Sequence, residues 1–153
     1  LPQLQTQLHD GIRLEMKLPS ASLMVSGNGA HLQRLVRNLV ANAMESIGSG
    51  SGMIGLRLAI VPGVEITHQH RFPLDWEPTA EHYACLAVRD NGCGIAEADI
   101  EQLFDPFFSS KFTGRGLGLS VVMGIVRAHG GGIAVQSALE QGSTFQVYLP
   151  LDA

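Results

Sequence analysis

The sequence predicts a two-layer α/β sandwich in which a mixed sheet carries three helices on one face. Three observations predict this class: one long segment with helical periodicity, several apolar segments of strand length, and glycine clusters between them. The 153 residues are enough for one domain with its own core. Strands are predicted near 12–18, 23–25, 53–61, 82–89, 132–138 and 144–150, helices near 30–47, 96–103 and 118–129, and an exposed connecting loop over 61–78.

The helix predicted over 30–47 has the clearest pattern, because its apolar residues recur every three or four positions. Asn28 is a candidate cap for its first turn. At 100° per residue, Asn38, Asn42 and Glu45 lie within about 60° of one another, at the edge of the apolar stripe. Oxygen ligands of this type suit Mg²⁺ that is shared with nucleotide phosphates. A polar flank that contacts only solvent or neighbouring loops is the alternative.

An acidic residue followed by glycines ends the strand predicted over 82–89. The sequence Asp90-Asn91-Gly92-Cys93-Gly94 is typical of a turn. The Asp90 carboxylate, held at a strand end, could accept a hydrogen bond from an exocyclic amine such as adenine N6. Gly92 and Gly94 would let the backbone approach a flat ligand closely. Taken alone, the segment is equally compatible with an ordinary surface turn.

A second glycine cluster, Gly114, Gly116 and Gly118, precedes the helix predicted near 118–129. Backbone amides at the start of a helix bind phosphate oxygens readily. The cluster is not a Walker loop, since the Lys-Ser/Thr ending is absent. It does not suit a dinucleotide fold either, because no strand directly precedes it. Glycine-rich turns also precede helices without any ligand, so this cluster alone is only suggestive.

A phenylalanine-rich segment separates the two clusters. Four of the six phenylalanines of the chain lie within 103–112. This composition predicts that the segment is a lid that closes over the nucleotide. Lys111 and Arg115 are then the natural cations for the terminal phosphates. The alternative is a hydrophobic loop that packs on the core and leaves its lysine in solvent.

The composition excludes several classes of protein. A hydrophobic content of 45% and a charged content of 16% exclude disorder, and a net charge of −4 gives no reason to propose nucleic-acid binding. No apolar run approaches the roughly 20 residues of a membrane span, so no membrane contact is expected of this domain. Two cysteines form no disulfide framework and indicate a reducing compartment.

Taken in order, these motifs resemble the ATP-binding catalytic domain of sensor histidine kinases, of the superfamily that includes the gyrase, Hsp90 and MutL ATPases. The resemblance covers roughly residues 12 to 150 and implies a Bergerat-type ATP-binding fold. Residues 42–47 and a short lid at 107–111 look like those of the nitrogen-regulation type and its hybrid relatives. The matching motifs are the N box at 38–43, the first glycine box at 90–94, the phenylalanine box at 104–108, the second glycine box at 114–119 and the terminal strand motif at 142–145.

The resemblance implies a role for each matching residue, with ATP and Mg²⁺ as ligands. Asp90 would bind adenine, and Thr144 would help to read the same edge of the base through water. Asn42 would be the Mg²⁺ ligand, and Asn38 and Lys111 would be catalytic residues beside the phosphates. The other implied nucleotide contacts are Glu45, Gly92, Gly94, Ile95, Phe104, Phe108, Gly114, Arg115, Gly116, Leu117, Gly118 and Leu119.

Asn38 bears on the type of reaction. In the hydrolytic members of the superfamily, a glutamate stands at this position and acts as general base for water. An amide cannot take a proton from water at neutral pH. The resemblance therefore implies phosphoryl transfer to a protein side chain, which depends mainly on positioning and charge neutralisation. An ATPase of the gyrase, Hsp90 or MutL type and a nucleotide-binding module without transferase activity are the alternatives.

In kinases of this kind, the phosphate acceptor is a histidine on a separate dimerising helical hairpin, and a receiver domain of a response regulator acts downstream. None of the six histidines of this chain lies in such a hairpin. His68 and His70 lack further ligands at metal-binding spacing. We therefore expect residues 1–153 to form a single catalytic domain of a larger cytoplasmic or membrane-anchored protein, with the acceptor domain elsewhere in it.

Overall fold

The structure is a computed structural model that describes residues 11–17, 29–48, 51–66, 71–73, 76–100, 102–104 and 117–151. Its elements are β1 (Ile12–Lys17), α1 (Gly29–Ile47), β2 (Gly52–Pro62), a 3₁₀ turn (Gly63–Glu65), β3 (Arg71–Phe72), β4 (His82–Asp90), α2 (Glu97–Ile100), α3 (Leu117–Ala128), β5 (Gly132–Ala138) and β6 (Gly142–Pro150). The strands form a six-stranded sheet in the order β1-β2-β4-β6-β5-β3. Only β1 and β2 pair in parallel, and the other described pairs are antiparallel. The predicted α/β class with a mixed sheet is confirmed.

The helices pack on one face of the sheet, as predicted. Side chains alternate between the two faces of a strand, so Phe145 and Val147 of β6 face the helices, whereas Tyr148 faces away. One core cluster unites the apolar sides of α1, α2 and α3 with this face. The largest buried side chains of the cluster include Leu35, Leu39, Ile54, Ile100, Val122, Ile133 and Phe145.

Most element boundaries agree with the sequence prediction to within two residues. The exception among the helices is α2, which was predicted over 96–103 and ends at Ile100. Beyond it, the amides of Gln102 and Leu103 bond to carbonyls three residues earlier, at Asp99 and Ile100. This tighter spacing is that of a 3₁₀ turn, which explains the shorter helix. The strand predicted near 23–25 lies outside the described residues.

The segment predicted as an exposed loop over 61–78 is instead partly buried and covers the second face of the sheet. Trp76 stacks on Tyr148 with a ring-centroid distance of 6.2 Å and meets Tyr83 edge-on at 5.8 Å. Ile66 is buried in the same small cluster. The two tyrosines present a large apolar area on this face, and covering that area removes it from water. The segment has no periodicity, so its sequence did not show this role.

The packing of Trp76 on the second face of the sheet can be tested at Gly132 of β5, which lies against the indole ring. A Cβ built on Gly132 would overlap the indole ring and lie 2.7 Å from its Cζ3 atom. We expect Gly132→Ala to lower the free energy of unfolding by about 1–3 kcal/mol, because the ring must shift. Urea titration followed by the fluorescence of Trp76, the single tryptophan of the chain, measures this change.

Gly55→Ala is the matched control for this experiment. Gly55 also lies within a strand, but a Cβ built on it meets nothing within 4 Å. Its free energy of unfolding should stay within about 0.5 kcal/mol of the wild type. Equal urea midpoints for the two variants would contradict the described contact.

Candidate functional site

The Asp90 carboxylate is buried where β4 ends. Asp90 is 3% exposed and lies on the same face of the sheet as Val88, towards the helices. Its Oδ1 atom accepts a hydrogen bond from the Gly92 amide at 2.8 Å and from the Ser46 hydroxyl at 3.3 Å. The carboxylate is therefore fixed between the end of a strand and the last turn of α1.

Burial and hydrogen bonds have opposite effects on the pKa of Asp90. Burial raises the pKa of Asp90, whereas hydrogen bonds from the Gly92 amide, the Ser46 hydroxyl and the Ser143 amide lower it. The causes are desolvation and hydrogen bonding rather than a neighbouring charge. A buried carboxylate held by such donors, with no cation among the described residues as a cause of its shifted pKa, is typical of a binding position.

A row of polar side chains runs along α1 from this carboxylate. Asn38, Asn42 and Ser46 are spaced four residues apart, so they follow one another along the same side of the helix. At 1.5 Å per residue, the row is about 12 Å long. Asn42 is 8% exposed and Ser46 is 6% exposed, while Asn38 is half-buried. Glu45 is half-buried and has interactions of its own.

Ser46 is a site residue that the sequence analysis missed. The sequence predicted Glu45 as a site residue, because it lies near Asn42 when the helix is viewed along its axis. In the structure, Ser46 is the residue of this turn that contacts Asp90. The available signal was the four-residue spacing between Ser46 and Asn42, which predicts a common side of the helix.

The glycines after Asp90 approach other parts of the protein closely. A Cβ built on Gly92 would lie 2.5 Å from the carbonyl carbon of Ser46. Gly94 has a φ of 75°, and a Cβ there would overlap the carbonyl of Ala138. The predicted need for glycine is thus explained by packing against α1 and against the β5–β6 turn. Both contacts hold the loop that follows Asp90 in place.

The register of β6 places one predicted site residue, Thr144, on the face of the sheet opposite to that of Asp90. Ser143 lies opposite Asp90, whereas Thr144 lies opposite Arg89. Since neighbouring residues of a strand face opposite sides, Ser143 shares the face of Asp90, and Thr144 does not. Ser143 is 4% exposed, and its Oγ lies 2.8 Å from that of Ser137. The structure therefore puts Ser143, in place of Thr144, beside the carboxylate.

Three predicted nucleotide contacts are part of the core. The ring of Phe104 lies 4.8 Å from that of Phe72 and 6.5 Å from that of Phe145, measured between centroids. Ile95 and Leu119 are buried in the main cluster. The side chains of these three residues pack in the core, so they fix the loop and the helix that carry the site.

The second glycine box is described only from Leu117 onwards. Leu117 and Gly118 are the first residues of α3, which confirms that a helix starts at this cluster. The amides of a first helical turn have no partner within the helix. The predicted site residues Phe108, Lys111, Gly114, Arg115 and Gly116 lie outside the described residues.

The described residues contain neither a metal-binding cluster nor a membrane-spanning helix. In the ranges that the structure describes, no group of three or more His, Cys, Asp or Glu side chains could hold a metal ion. Within the same ranges, no helix has the length and hydropathy of a membrane span.

Comparisons with known proteins agree with this arrangement. Residues 27–153 match the profile of the histidine kinase-, DNA gyrase B- and HSP90-like ATPases. The sensor kinase CckA of Brucella abortus (strain 2308) is 35% identical over 128 residues, which cover 82% of this chain and 13% of CckA. The C4-dicarboxylate transport sensor protein DctB of Rhizobium meliloti (strain 1021) is 38% identical over 141 residues, which cover 92% of this chain and 19% of DctB.

A solved structure agrees as well. The mycobacterial sensor histidine kinase MprB superposes with a TM-score of 0.74 at 25% identity, covering 98% of this chain and 90% of that one. The chain spans less than a fifth of the length of the relatives CckA and DctB. The profile match, the sensor kinase relatives and the shared fold lead to one assignment. The chain belongs to the family of histidine kinase-, DNA gyrase B- and HSP90-like ATPases, as an ATP-binding catalytic domain of the histidine kinase type.

Proposed function

We propose that this domain binds ATP with Mg²⁺ and donates the γ-phosphate to a histidine on the dimerisation domain of the same full-length protein. The phosphate then passes to the receiver domain of a response regulator. The observation that carries this proposal is the buried Asp90 carboxylate, which Ser46 joins to the Asn38–Asn42 side of α1. This arrangement offers an acceptor for the base at one end and amides for the phosphates at the other.

The adenine end of the site uses Asp90. An ionised carboxylate only accepts hydrogen bonds, and adenine presents an amino group on its Watson–Crick edge. Guanine has a carbonyl at the corresponding position, which would face the carboxylate without a shared proton. A site built to bond an amino group rejects a base that lacks it, because buried polar groups would then be left unpaired. The proposed ligand is therefore ATP rather than GTP.

The phosphate end uses the amides of α1. In the described part of the chain, Asn42 is nearly buried, and no described side-chain hydrogen bond uses its amide. An amide oxygen of this kind fits Mg²⁺, which accepts a few protein oxygens and keeps phosphate and water ligands. Asn42 would hold the ion, which would neutralise phosphate charge. Lys111, Arg115 and the backbone near 114–118 are proposed to bind the triphosphate, as the resemblance implies.

The proposed reaction is transfer rather than hydrolysis. Asn38 has no group that can take a proton from water at neutral pH. The nucleophile must then bring its own reactivity, as a histidine nitrogen does, and the site contributes position and charge. The imidazole would attack the γ-phosphorus, ADP would leave, and the N–P bond would replace the O–P bond.

The proposed function also bears on where the acceptor domain and the cellular location of this domain are expected. The relatives CckA and DctB are several times longer than this chain, so the acceptor is proposed to lie in the rest of the full-length protein. Both Cys85 and Cys93 are free thiols. Free thiols are typical of reducing compartments, which supports a cytoplasmic location.

Replacing Asp90 by asparagine separates binding from stability. We expect Asp90→Asn to weaken ATP binding about 10- to 100-fold, because hydrogen bonds to charged groups contribute about 1.5–3 kcal/mol. Isothermal titration calorimetry with ATP and Mg²⁺ measures this loss. An unchanged dissociation constant would contradict the role of Asp90.

The same variant should be more stable than the wild type without nucleotide at pH 7. The pKa of Asp90 is raised in the folded state, so ionisation costs stability above the folded pKa. This cost declines as the pH falls through the folded pKa and is absent below the ordinary value of 3.8. Melting temperatures at pH 7 and pH 4 should show a gain that shrinks with acidity. The exposed Glu65→Gln is the control, and a wild type that is the more stable protein at pH 7 would contradict the sign.

The register of β6 gives a paired test. Ser143→Ala should weaken ATP binding about 3- to 10-fold, the loss expected for one hydrogen bond between neutral groups. Thr144→Ala should leave the dissociation constant unchanged, because Thr144 faces the other side of the sheet. Calorimetry on both variants decides between the two residues. A loss confined to Thr144→Ala would restore the assignment made from the sequence.

The transfer reaction is tested with the domain and a separately produced dimerisation domain of the full-length protein. With γ-labelled ATP and Mg²⁺, we expect labelling of the dimerisation domain that is labile in acid and stable in base, as phosphohistidine is. A dimerisation domain with its acceptor histidine replaced by glutamine is the control. Asn42→Ala should abolish labelling.

Two outcomes would reject this function. Rapid Mg²⁺-dependent phosphate release by the domain alone would identify an ATPase and overturn the interpretation of Asn38. ATP binding without any labelling of the dimerisation domain would identify a nucleotide-binding module without transferase activity.

A further inference from the structure

One buried hydroxyl joins the candidate adenine carboxylate to the rest of the site. Ser46 is in the last turn of α1, and its Oγ lies 3.3 Å from Oδ1 of Asp90 and 3.8 Å from Sγ of Cys93. Its carbonyl accepts the Cys93 amide at 3.1 Å. Ser46 therefore contacts both the strand end and the loop that follows it.

We infer that Ser46 is a positioning residue for base recognition, whose hydroxyl keeps Asp90 an acceptor aimed at the exocyclic amino group of adenine. This inference rests on the proposed function, because it assumes that ATP binds at Asp90. Ser46 would then contribute to the selection of the base, although it is not among the site residues predicted from the sequence.

The hydrogen-bond inventory of Asp90 supports this role. An ionised carboxylate offers about four acceptor positions and no donor, so the shared proton between Ser46 and Asp90 belongs to Ser46. The Gly92 amide, the Ser46 hydroxyl and the Ser143 amide use three of these positions. A donor on the base can take the remaining one. Without Ser46, the carboxylate has a second vacant acceptor and a less defined orientation.

The same hydroxyl favours the form of Asp90 that selects adenine. A protonated carboxyl would gain a donor and could pair with a carbonyl at the 6-position of the base, whereas the ionised form only accepts and so needs a donor there, such as the amino group of adenine. Hydrogen bonds to the charged form stabilise it against the desolvation that burial imposes. Among the described residues, Ser46 supplies one of three such bonds and the only one from a side chain.

Other charged or titratable groups around Asp90 do not replace Ser46. Glu45 lies on α1 and Cys93 in the loop, and Glu140 of the β5–β6 turn contacts the loop through its amide. Arg89 is adjacent in sequence but faces the other side of the sheet. The partners of Asp90 across the sheet, Ile54 and Ser143, carry no charge. None of the charged groups is a cause of the shifted Asp90 pKa.

The packing around Ser46 also limits what this position can hold. A Cβ on Gly92 would overlap Ser46, so helix and loop are in close contact there. A longer side chain at position 46 would push the loop away, and alanine would fit but lack the donor. A small residue with a hydroxyl satisfies both demands.

The test compares the affinities of ATP and ITP, whose base carries a carbonyl where adenine carries the amino group. We expect Ser46→Ala to weaken ATP binding about 10-fold at pH 7.5 and to leave ITP binding unchanged, so that the preference for ATP falls about 10-fold. The loss for ATP should grow as the pH falls to 5.5, because the unsupported carboxylate holds a proton more readily. Ser46→Cys, with a weaker donor of similar size, should lie between Ser46→Ala and the wild type.

Two controls keep the outcome unambiguous. Ser46→Ala in the Asp90→Asn background should add no further loss, because the residue acts through Asp90. Ser51→Ala, on an exposed serine outside the site, should bind both nucleotides like the wild type. The urea transition followed by Trp76 fluorescence verifies that each variant is folded.

The outcomes separate this inference from the proposed function. Equal losses for ATP and ITP with an unchanged pH profile would reduce Ser46 to a packing residue and overturn the inference. Wild-type affinity in Ser46→Ala, with ATP binding lost in Asp90→Asn, would also overturn it while the proposed function stands. A wild type that does not bind ATP would overturn the proposed function itself.

Discussion

The structure of the site depends on the joint between the end of β4 and the last turn of α1. Asp90 accepts bonds from Gly92 and Ser46, and Ser46 in turn accepts the Cys93 amide. The Cys93 carbonyl accepts the Glu140 amide at 2.6 Å, which ties the loop to the β5–β6 turn. Strand, helix, loop and hairpin therefore meet around one carboxylate. If this joint opened, the polar row on α1 would lose its fixed relation to the acceptor for the base.

Burial of the Asp90 carboxylate opposes folding, because desolvation disfavours its ionised form. The cluster that unites the three helices with the sheet supplies the apolar burial that drives folding, and Asp90 lies at its edge. Neutralising Asp90 would relieve desolvation, but it would remove the group that we propose distinguishes an amino from a carbonyl base. Binding sites commonly retain such conflicts between stability and function. The hydroxyl and amide donors around Asp90 reduce the cost without removing the acceptor.

The sequence predicted the features that local chemistry determines. The periodicity of α1, the end of β4 at Asp90 and the start of α3 at the glycine box are each encoded within a few residues. Features that join distant segments were missed, because a linear pattern does not specify them. Trp76 packs on Tyr148, which is more than seventy positions away in the sequence. The position of Ser143 beside Asp90 depends on the register of β6 against β4. Gly92 was expected to let the backbone approach a flat ligand, whereas the structure shows it in close contact with Ser46 of α1.

Alternation along two paired strands explains why the site tolerates no shift in register. Asp90 and Ser143 face the helices, whereas their neighbours Arg89 and Thr144 face the other side of the sheet. On that side, Arg89 lines a groove of about 280 Å³ together with Glu15, Met53 and Gly55. A slip of one residue would turn an arginine towards the core and move the carboxylate away from α1. The cost of burying that cation, together with the close fit of Gly92 against Ser46, selects a single register. The position of the Asp90 carboxylate beside α1 is therefore a consequence of the same packing that defines the sheet.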